Sequence, residues 1–391
     1  MWGADAVTRA MSHREARENV GLRFLEPPMD RFYGRCLRVA HRARHRLRAA
    51  FSFVVFAAAS TSHAASIDPG ELPSEPAHLA SQSLLLDIAA AGSRLVAVGE
   101  HGHVLLSDNK GQTWRQAKSV PTQNLLTAVC FSDERNGVTV GHDEIVLTTA
   151  DAGETWTRRR YAPEAQQPLL DVLCNGSDAI AVGAYSVYFS SKDAGATWTE
   201  RKFEATTAKP AQPTDDDVDA DFHLNRIVGA SGSRLYIAAE AGHLYRSDDA
   251  GATWSTLPSP YEGSFFGVLP LNGDSLLAYG LRGHLFRSDD GGQTWRPLET
   301  HTQAMLNDAA RLPGGGVAIV GLSGAVILSS DNGETFTASQ QDDRKGLSAV
   351  LPSGTAELIA VGEAGVRVIA MKLAATQAHS ESQPPTRPPP P

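Results

Sequence analysis

Between residues 82 and 371 the chain is written in short apolar runs separated by small and polar residues, a pattern of strands and turns. One kind of run opens each unit: Leu85-Leu-Asp-Ile88, Leu125-Leu-Thr-Ala128, Leu169-Leu-Asp-Val172, Leu224-Asn-Arg-Ile227, Phe265-Phe-Gly-Val268, Leu306-Asn-Asp-Ala309 and Leu347-Ser-Ala-Val350. A turn leads into a second run, rich in Ala and Gly, at residues 95–99, 138–141, 180–183, 235–239, 276–280, 317–321 and 358–362. Small side chains suit strands crowded around a common axis. A third run follows, as at residues 103–106 and 284–287, then a polar octet and a fourth strand.

The octet is Ser-Asp-Asp-Gly-Gly-Gln-Thr-Trp at residues 288–295, with copies at 107–114, 149–156, 191–198, 247–254 and 329–336. Each begins with Ser or Thr and has Asp or Asn third, Gly fifth, Thr seventh and an aromatic residue last. The closing aromatics Trp114, Trp156, Trp198, Trp254, Trp295 and Phe336 are 42, 42, 56, 41 and 41 residues apart. A period in the low forties is the length of one four-stranded propeller blade. Asn109, Asp151, Asp193, Asp249, Asp290 and Asp331 occupy the third place, where a side-chain oxygen accepts from nearby amides. Glycine supplies the positive φ, and the aromatic returns to a strand with its ring against the neighbouring sheet. The pattern predicts an all-β fold: a seven-bladed β-propeller over residues 66–372, with the octets as structural turns. The seventh unit stops at Met371 without octet or fourth strand, so residues 70–81 are expected to close the ring by pairing with residues 366–371.

Both ends differ in composition. Residues 1–65 hold eleven Arg, no Lys and five acids, and an apolar run at 49–59 precedes Ser60-Thr-Ser-His-Ala-Ala65. This reads as a signal peptide with a basic n-region, cleaved near Ala64. No later stretch is long and apolar enough for a membrane span, so the mature chain is expected to be a soluble periplasmic or secreted monomer. Past residue 65 the chain has 24 basic and 39 acidic residues, a net charge of −15, which argues against nucleic acid as a partner. Cys36 leaves with the signal; Cys130 and Cys174 occupy matching places in consecutive units, too far apart for a disulfide, and are expected to be free buried thiols. Residues 373–391 end in Pro388-Pro-Pro-Pro391 and read as a disordered tail.

Alternating strand direction puts the starts of the first strands, the turns between second and third strands, and the links between units on one face. The octets lie on the other. The expected partner-binding face carries Asp87, Asp171, Arg226, Asp308, Arg282 and Tyr185, with Thr127 beside them. The long interval adds an acidic link containing Asp215, Asp216 and Asp217. A sialidase-like centre would need an arginine cluster, a Tyr nucleophile with an acidic partner and an acid/base Asp. Arg226, Arg282 and Tyr185 do not supply it, so no catalytic residue is assigned. The turns Glu100-His101-Gly-His103 and His142-Asp143-Glu144 offer metal-ligand types. Because His243 and His284 recur at the place of His103, they read as turn or packing residues, and neither metal nor cofactor is expected.

The octet resembles the Asp-box (BNR) repeat found in sialidases, related glycosidases, sorting receptors and the photosystem II stability/assembly-factor family. The layout Val-Gly-x-x-Gly-x-hydrophobic-x-x-Ser-x-Asp-x-Gly-x-Thr-Trp over residues 82–371, with its sevenfold count, is most similar to the last. That resemblance implies an exported, non-catalytic propeller that holds a membrane-protein complex or its assembly intermediate, in photosynthesis or on another envelope complex. The chain departs from photosynthetic members in its acidity and Asp-rich insertion, and a basic patch carries over only to Arg226 and Arg282. The alternative reading is a glycan-binding or glycoside-hydrolysing propeller.

Overall fold

The computed structural model describes residues 68–207 and 222–371. The expected signal peptide, the expected tail and the acidic stretch with Asp215, Asp216 and Asp217 lie outside the described residues. The described chain forms seven sheets arranged in chain order, numbered here as blades 1 to 7 and antiparallel except where Ala205–Thr207 adds parallel to Trp254–Thr256 at the edge of blade 4. Their first strands are Leu85–Ala91, Leu126–Phe131, Leu169–Asn175, Leu224–Gly229, Phe265–Pro270, Leu306–Arg311 and Leu347–Ser353. Successive first strands pack side by side, and that of blade 7 returns to blade 1. Blades 1, 2, 3, 5 and 6 have four strands, blade 4 has five and blade 7 three. No helix among the described residues is long and apolar enough to cross a membrane.

The cores are the seams between blades. Successive strand residues point to opposite faces of a sheet, so Val96, Val98, Val104 and Leu106 of blade 1 pack with Leu126 and Leu147 of blade 2, while Ala97 and Leu105 pack with Ala349, Ile359 and Val361 of blade 7. Each octet aromatic plugs the seam with the preceding blade: Trp114 against blade 7, Trp156 against blade 1, Trp198 against blade 2, Trp254 against blade 3, Trp295 against blade 4 and Phe336 against blade 5.

The octets form the expected turns. In the copy at 247–254, Ser247 Oγ accepts from Gly251 N (2.9 Å) and donates to Asp249 Oδ1 (2.7 Å). Asp249 also accepts from the amide (2.8 Å) and hydroxyl (2.7 Å) of Thr253. Such bonds favour the ionised carboxylate. They hold Asp193, Asp249 and Asp290 down to about 2, led by the Thr197 hydroxyl, the Thr253 amide and the Thr294 hydroxyl respectively.

Two expectations are corrected. Cys130 and Cys174 form a disulfide, with Cα atoms 5.7 Å apart. Blade 2 opens at Leu126, opposite Gly141, as blade 3 opens at Leu169, opposite Gly183. Counted from those residues the cysteines are one place out of register, and a one-residue offset reverses side-chain direction. They therefore face each other across the seam of blades 2 and 3, where the first strands converge.

The ring is not closed by a strand from residues 70–81. Blade 7 is a three-stranded sheet whose last strand, Gly365–Ala370, pairs only with Glu357–Gly362 among the described residues. Pro73 and Pro76 remove ladder donors from the candidate segment. It instead forms a strap over blades 2 and 1. Arg158 Nη1 donates to Gly70 O (2.8 Å), Ser74 N to Val120 O (2.9 Å) and Gln116 Nε2 to Glu75 O (3.0 Å). The strap ends in a short 3-10 turn, Ala80–Gln82, beside blade 7.

Candidate partner-binding face

The antiparallel order of the first three strands of every blade places the first-strand starts and the turns between second and third strands at one end of the sheets, and the octets at the other. The turn tips hold residues in the left-handed region: His101 (φ 56°), Asp143 (φ 55°), Tyr185 (φ 53°), Ala241 (φ 50°), Arg282 (φ 56°) and Ser323 (φ 57°). Tyr185 is 54 % exposed, with its ring 5.0 Å from that of His223, and Arg282 is exposed as well.

Every first strand carries a β-bulge at its second residue, where pairing skips one position, as between Leu85 and Asp87 or between Leu306 and Asp308. A bulge re-aims side chains, and here it turns the second and third residues toward the next blade. Asp87 Oδ2 accepts from Val129 N of blade 2, Asp171 Oδ2 from Ile227 N of blade 4, and Asp308 Oδ2 from Val350 N of blade 7, each at 2.8 Å. The second position is used at the seams of blades 2 and 3, where Thr127 Oγ1 donates to Leu169 O (2.7 Å), and of blades 4 and 5, where Asn225 Nδ2 donates to Phe265 O (2.8 Å); at the seam of blades 6 and 7 it works beside Asp308, with Asn307 Nδ2 donating to Leu347 O (2.7 Å). Asp87, Asp171 and Asp308 are accordingly buried latches between blades.

Arg226 joins these acids. Its Nη2 lies 2.9 Å from Asp308 Oδ1 and its Nε 3.5 Å from Asp171 Oδ2, with 28 % of the side chain exposed. The contact to Asp308 Oδ1 is an ion pair without hydrogen-bond alignment, since that oxygen has no hydrogen-bond partner. Three carboxylates share one guanidinium in a place withdrawn from water. Burial raises all three, against the pull of Arg226, and pushes Asp87 up to about 7.

The recurring histidines are in packing contacts. His103 is buried with Nδ1 3.0 Å from Ser83 Oγ, His243 stacks on Phe222 at 4.1 Å, and His284 lies 4.3 Å from the Tyr261 ring. Glu144 is buried against Arg160, and Glu100 Oε1 accepts from Leu84 N (2.9 Å). Among the described residues no three His, Cys, Asp or Glu side chains are grouped to hold a metal ion. The acidic link is anchored on both sides: Phe203 sits 5.8 Å from the rings of Tyr188 and Trp254, and Phe222 stacks on His243. The sequence reading missed those anchors, along with the Asn225 and Asn307 latches. The recurrence of Asn at the second place of a first strand is the signal that could have found the latter.

Residues 106–302, about half of the chain, match the family described as photosynthesis system II assembly factor YCF48. The chain belongs to this family. Two of its solved members share the fold. One, "YCF48 bound to D1 peptide", has 17 % identity and a TM-score of 0.60, covering 76 % of this chain and 96 % of that one. The other, YCF48 from Cyanidioschyzon merolae, has 15 % identity and a TM-score of 0.58, covering 75 % and 97 %. The GH74 enzyme of Niastella koreensis is also similar in fold, at 14 % identity and a TM-score of 0.56, with 75 % of this chain and 53 % of that chain covered. No curated protein matches the chain.

Proposed function

We infer that this YCF48-family propeller is an exported, non-catalytic binding protein that holds a segment of a membrane-protein complex during assembly. The observation that carries the reading is the family match, together with a solved family member bound to a peptide of D1. The turn-tip face supports it with exposed side chains that differ from blade to blade, Tyr185 and Arg282 foremost. Asp87, Asp171, Arg226 and Asp308 lie at the same ends of their strands, and Asp215, Asp216 and Asp217, in the link outside the described residues, add negative charge able to steer a basic client segment. The disulfide supports export, since such bonds persist in oxidising compartments. The likeness to a glycoside hydrolase concerns the fold, and the carboxylates near the axis accept backbone amides rather than flank an open site.

The test is affinity capture from solubilised envelope with wild type, Arg282→Glu, Tyr185→Ala and the triple change of Asp215, Asp216 and Asp217 to Asn. Recovery of one membrane-protein client by wild type, lowered by these variants and by rising salt, is expected. Equal recovery by all four folded proteins would place the binding surface elsewhere. Turnover of a glycan by wild type would overturn the non-catalytic reading.

A further inference from the structure

Six of the seven seams are finished in the same way, and the seventh is not. In each finished seam the following blade contributes an octet, whose Gly lies on the preceding blade and whose aromatic ring fills the space beside it. A Cβ on Gly153 would meet Leu106 of blade 1 at 3.1 Å, and one on Gly333 would meet Leu277 of blade 5 at 3.1 Å. At the seam of blades 6 and 7 the core cluster contains Val326, Leu328, Leu358 and Ile369 but no aromatic ring. Leu328 stands where Leu106 stands in blade 1, one residue before the octet serine, and no octet glycine covers it.

What remains is a groove of ≈ 450 Å³ between Thr337–Gln340 of blade 6 and the last strand of blade 7, floored by Val326, Leu328, Leu358 and Ile369. Its side is an open strand edge: no strand pairs with the outer side of Gly365–Ala370 among the described residues, and Val368 is 51 % exposed there. Unpaired edges are templates for another strand, and strand addition with a side-chain pocket is an established mode of peptide recognition.

The other six seams show what fits: an extended segment carrying one aromatic side chain. The segment that follows Met371 in this chain does not match. Residues 372–391 contain no Phe, Trp or Tyr. We propose that the open edge of blade 7 and the groove beside it bind, from a second polypeptide, an extended segment bearing an aromatic residue, which completes the blade in trans. The site is separate from the turn-tip face, and the proposal stands or falls independently of the assembly-factor reading.

A fluorescent peptide with the sequence of residues 149–160, which holds an octet and an outer strand, is the probe, titrated against the full chain at physiological salt. Its Trp156→Ala counterpart is the control. Binding at least tenfold weaker for the control is expected, as is slowed amide exchange over residues 366–371 on binding. Ala370→Lys and Ala338→Lys, at exposed positions on opposite walls of the groove, should each abolish binding while circular dichroism stays unchanged. A chain ending at Met371 should bind as the full chain does. Equal affinity for both peptides, survival of binding in both Lys variants, or no binding at millimolar peptide overturns the proposal. A tenfold gain on truncation would assign the groove to the tail, and self-association removed by Ala370→Lys would assign it to a second copy; either overturns it as well.

Discussion

Asp87 ties the stability of the ring to pH in a direction opposite to that of most native carboxylates. Burial, opposed by Arg226 and reinforced by Asp171 and Asp308, raises it from 3.8 to about 7. Between those values the native state keeps a proton that the unfolded chain has released, so this group's contribution to stability falls as pH rises from about 4 to about 7 and is level above. At roughly 1.4 kcal/mol per pKa unit, a rise of about three units amounts to about 4 kcal/mol over the window. The perturbation is Asp87→Asn, which keeps an oxygen to accept from Val129 N and removes the charge. The octet acids Asp193, Asp249 and Asp290, held at about 2, stay ionised across the window and cancel in the comparison. Unfolding in urea, followed at pH 4.5 and at pH 8, should show the variant gaining on wild type by several kcal/mol from the lower to the higher pH. Parallel pH profiles for the two proteins, or a variant that loses ground as pH rises, would refute the reasoning.

The Cys130–Cys174 bond closes a loop over a separation of 44 residues, for which the chain-entropy relation gives about 4 kcal/mol. Reduction should therefore lower the melting temperature markedly, and an unchanged melt with the thiols shown free would contradict that role. Replacing Asp249 by Ala removes the acceptor of bonds from Ser247 and Thr253 and should cost about 1–3 kcal/mol. Asp249→Asn should cost less, because Asn109 fills the same place in the first octet, accepting from Thr113 N at 2.9 Å; equal losses in chemical denaturation would show that charge rather than acceptor geometry matters.

The parts of this fold legible in the sequence are those whose hydrogen bonds demand particular residues at fixed spacing. An octet needs a hydroxyl, an acceptor two places on, a glycine and a threonine, so its six copies declared themselves along with the blade period. Register was less legible. The doublet Leu125-Leu126 allows two alignments of blade 2, and the wrong one makes Cys130 and Cys174 appear equivalent, hence parallel and apart. The bulge was not legible either: it spends one residue at the start of every first strand and turns Asp87, Asp171 and Asp308 into latches, whereas unbroken alternation would have left them at the channel mouth.

That division bears on where the specificity of this propeller is written. Residues at seams answer to the next blade, and their types recur because the same contact is made again. The tips of the turns make contacts that do not recur: Tyr185 meets the ring of His223, and Asp143 Oδ2 accepts from Asn124 Nδ2. Their backbone is left-handed, a conformation in which any residue other than glycine is strained by roughly 1 kcal/mol or more, yet six of them carry His101, Asp143, Tyr185, Ala241, Arg282 and Ser323. The octets hold the same conformation at Lys110, Ala152, Ala194, Ala250 and Asn332, so it belongs to tight turns in general, and what sets the tips apart is the large exposed side chains of Tyr185 and Arg282. The same contrast separates the turn-tip face from the groove of blade 7. In the groove the six finished seams act as a template and fix the ligand's chemistry in advance. On the tips no internal template exists, and the client proposed for them is sought by capture.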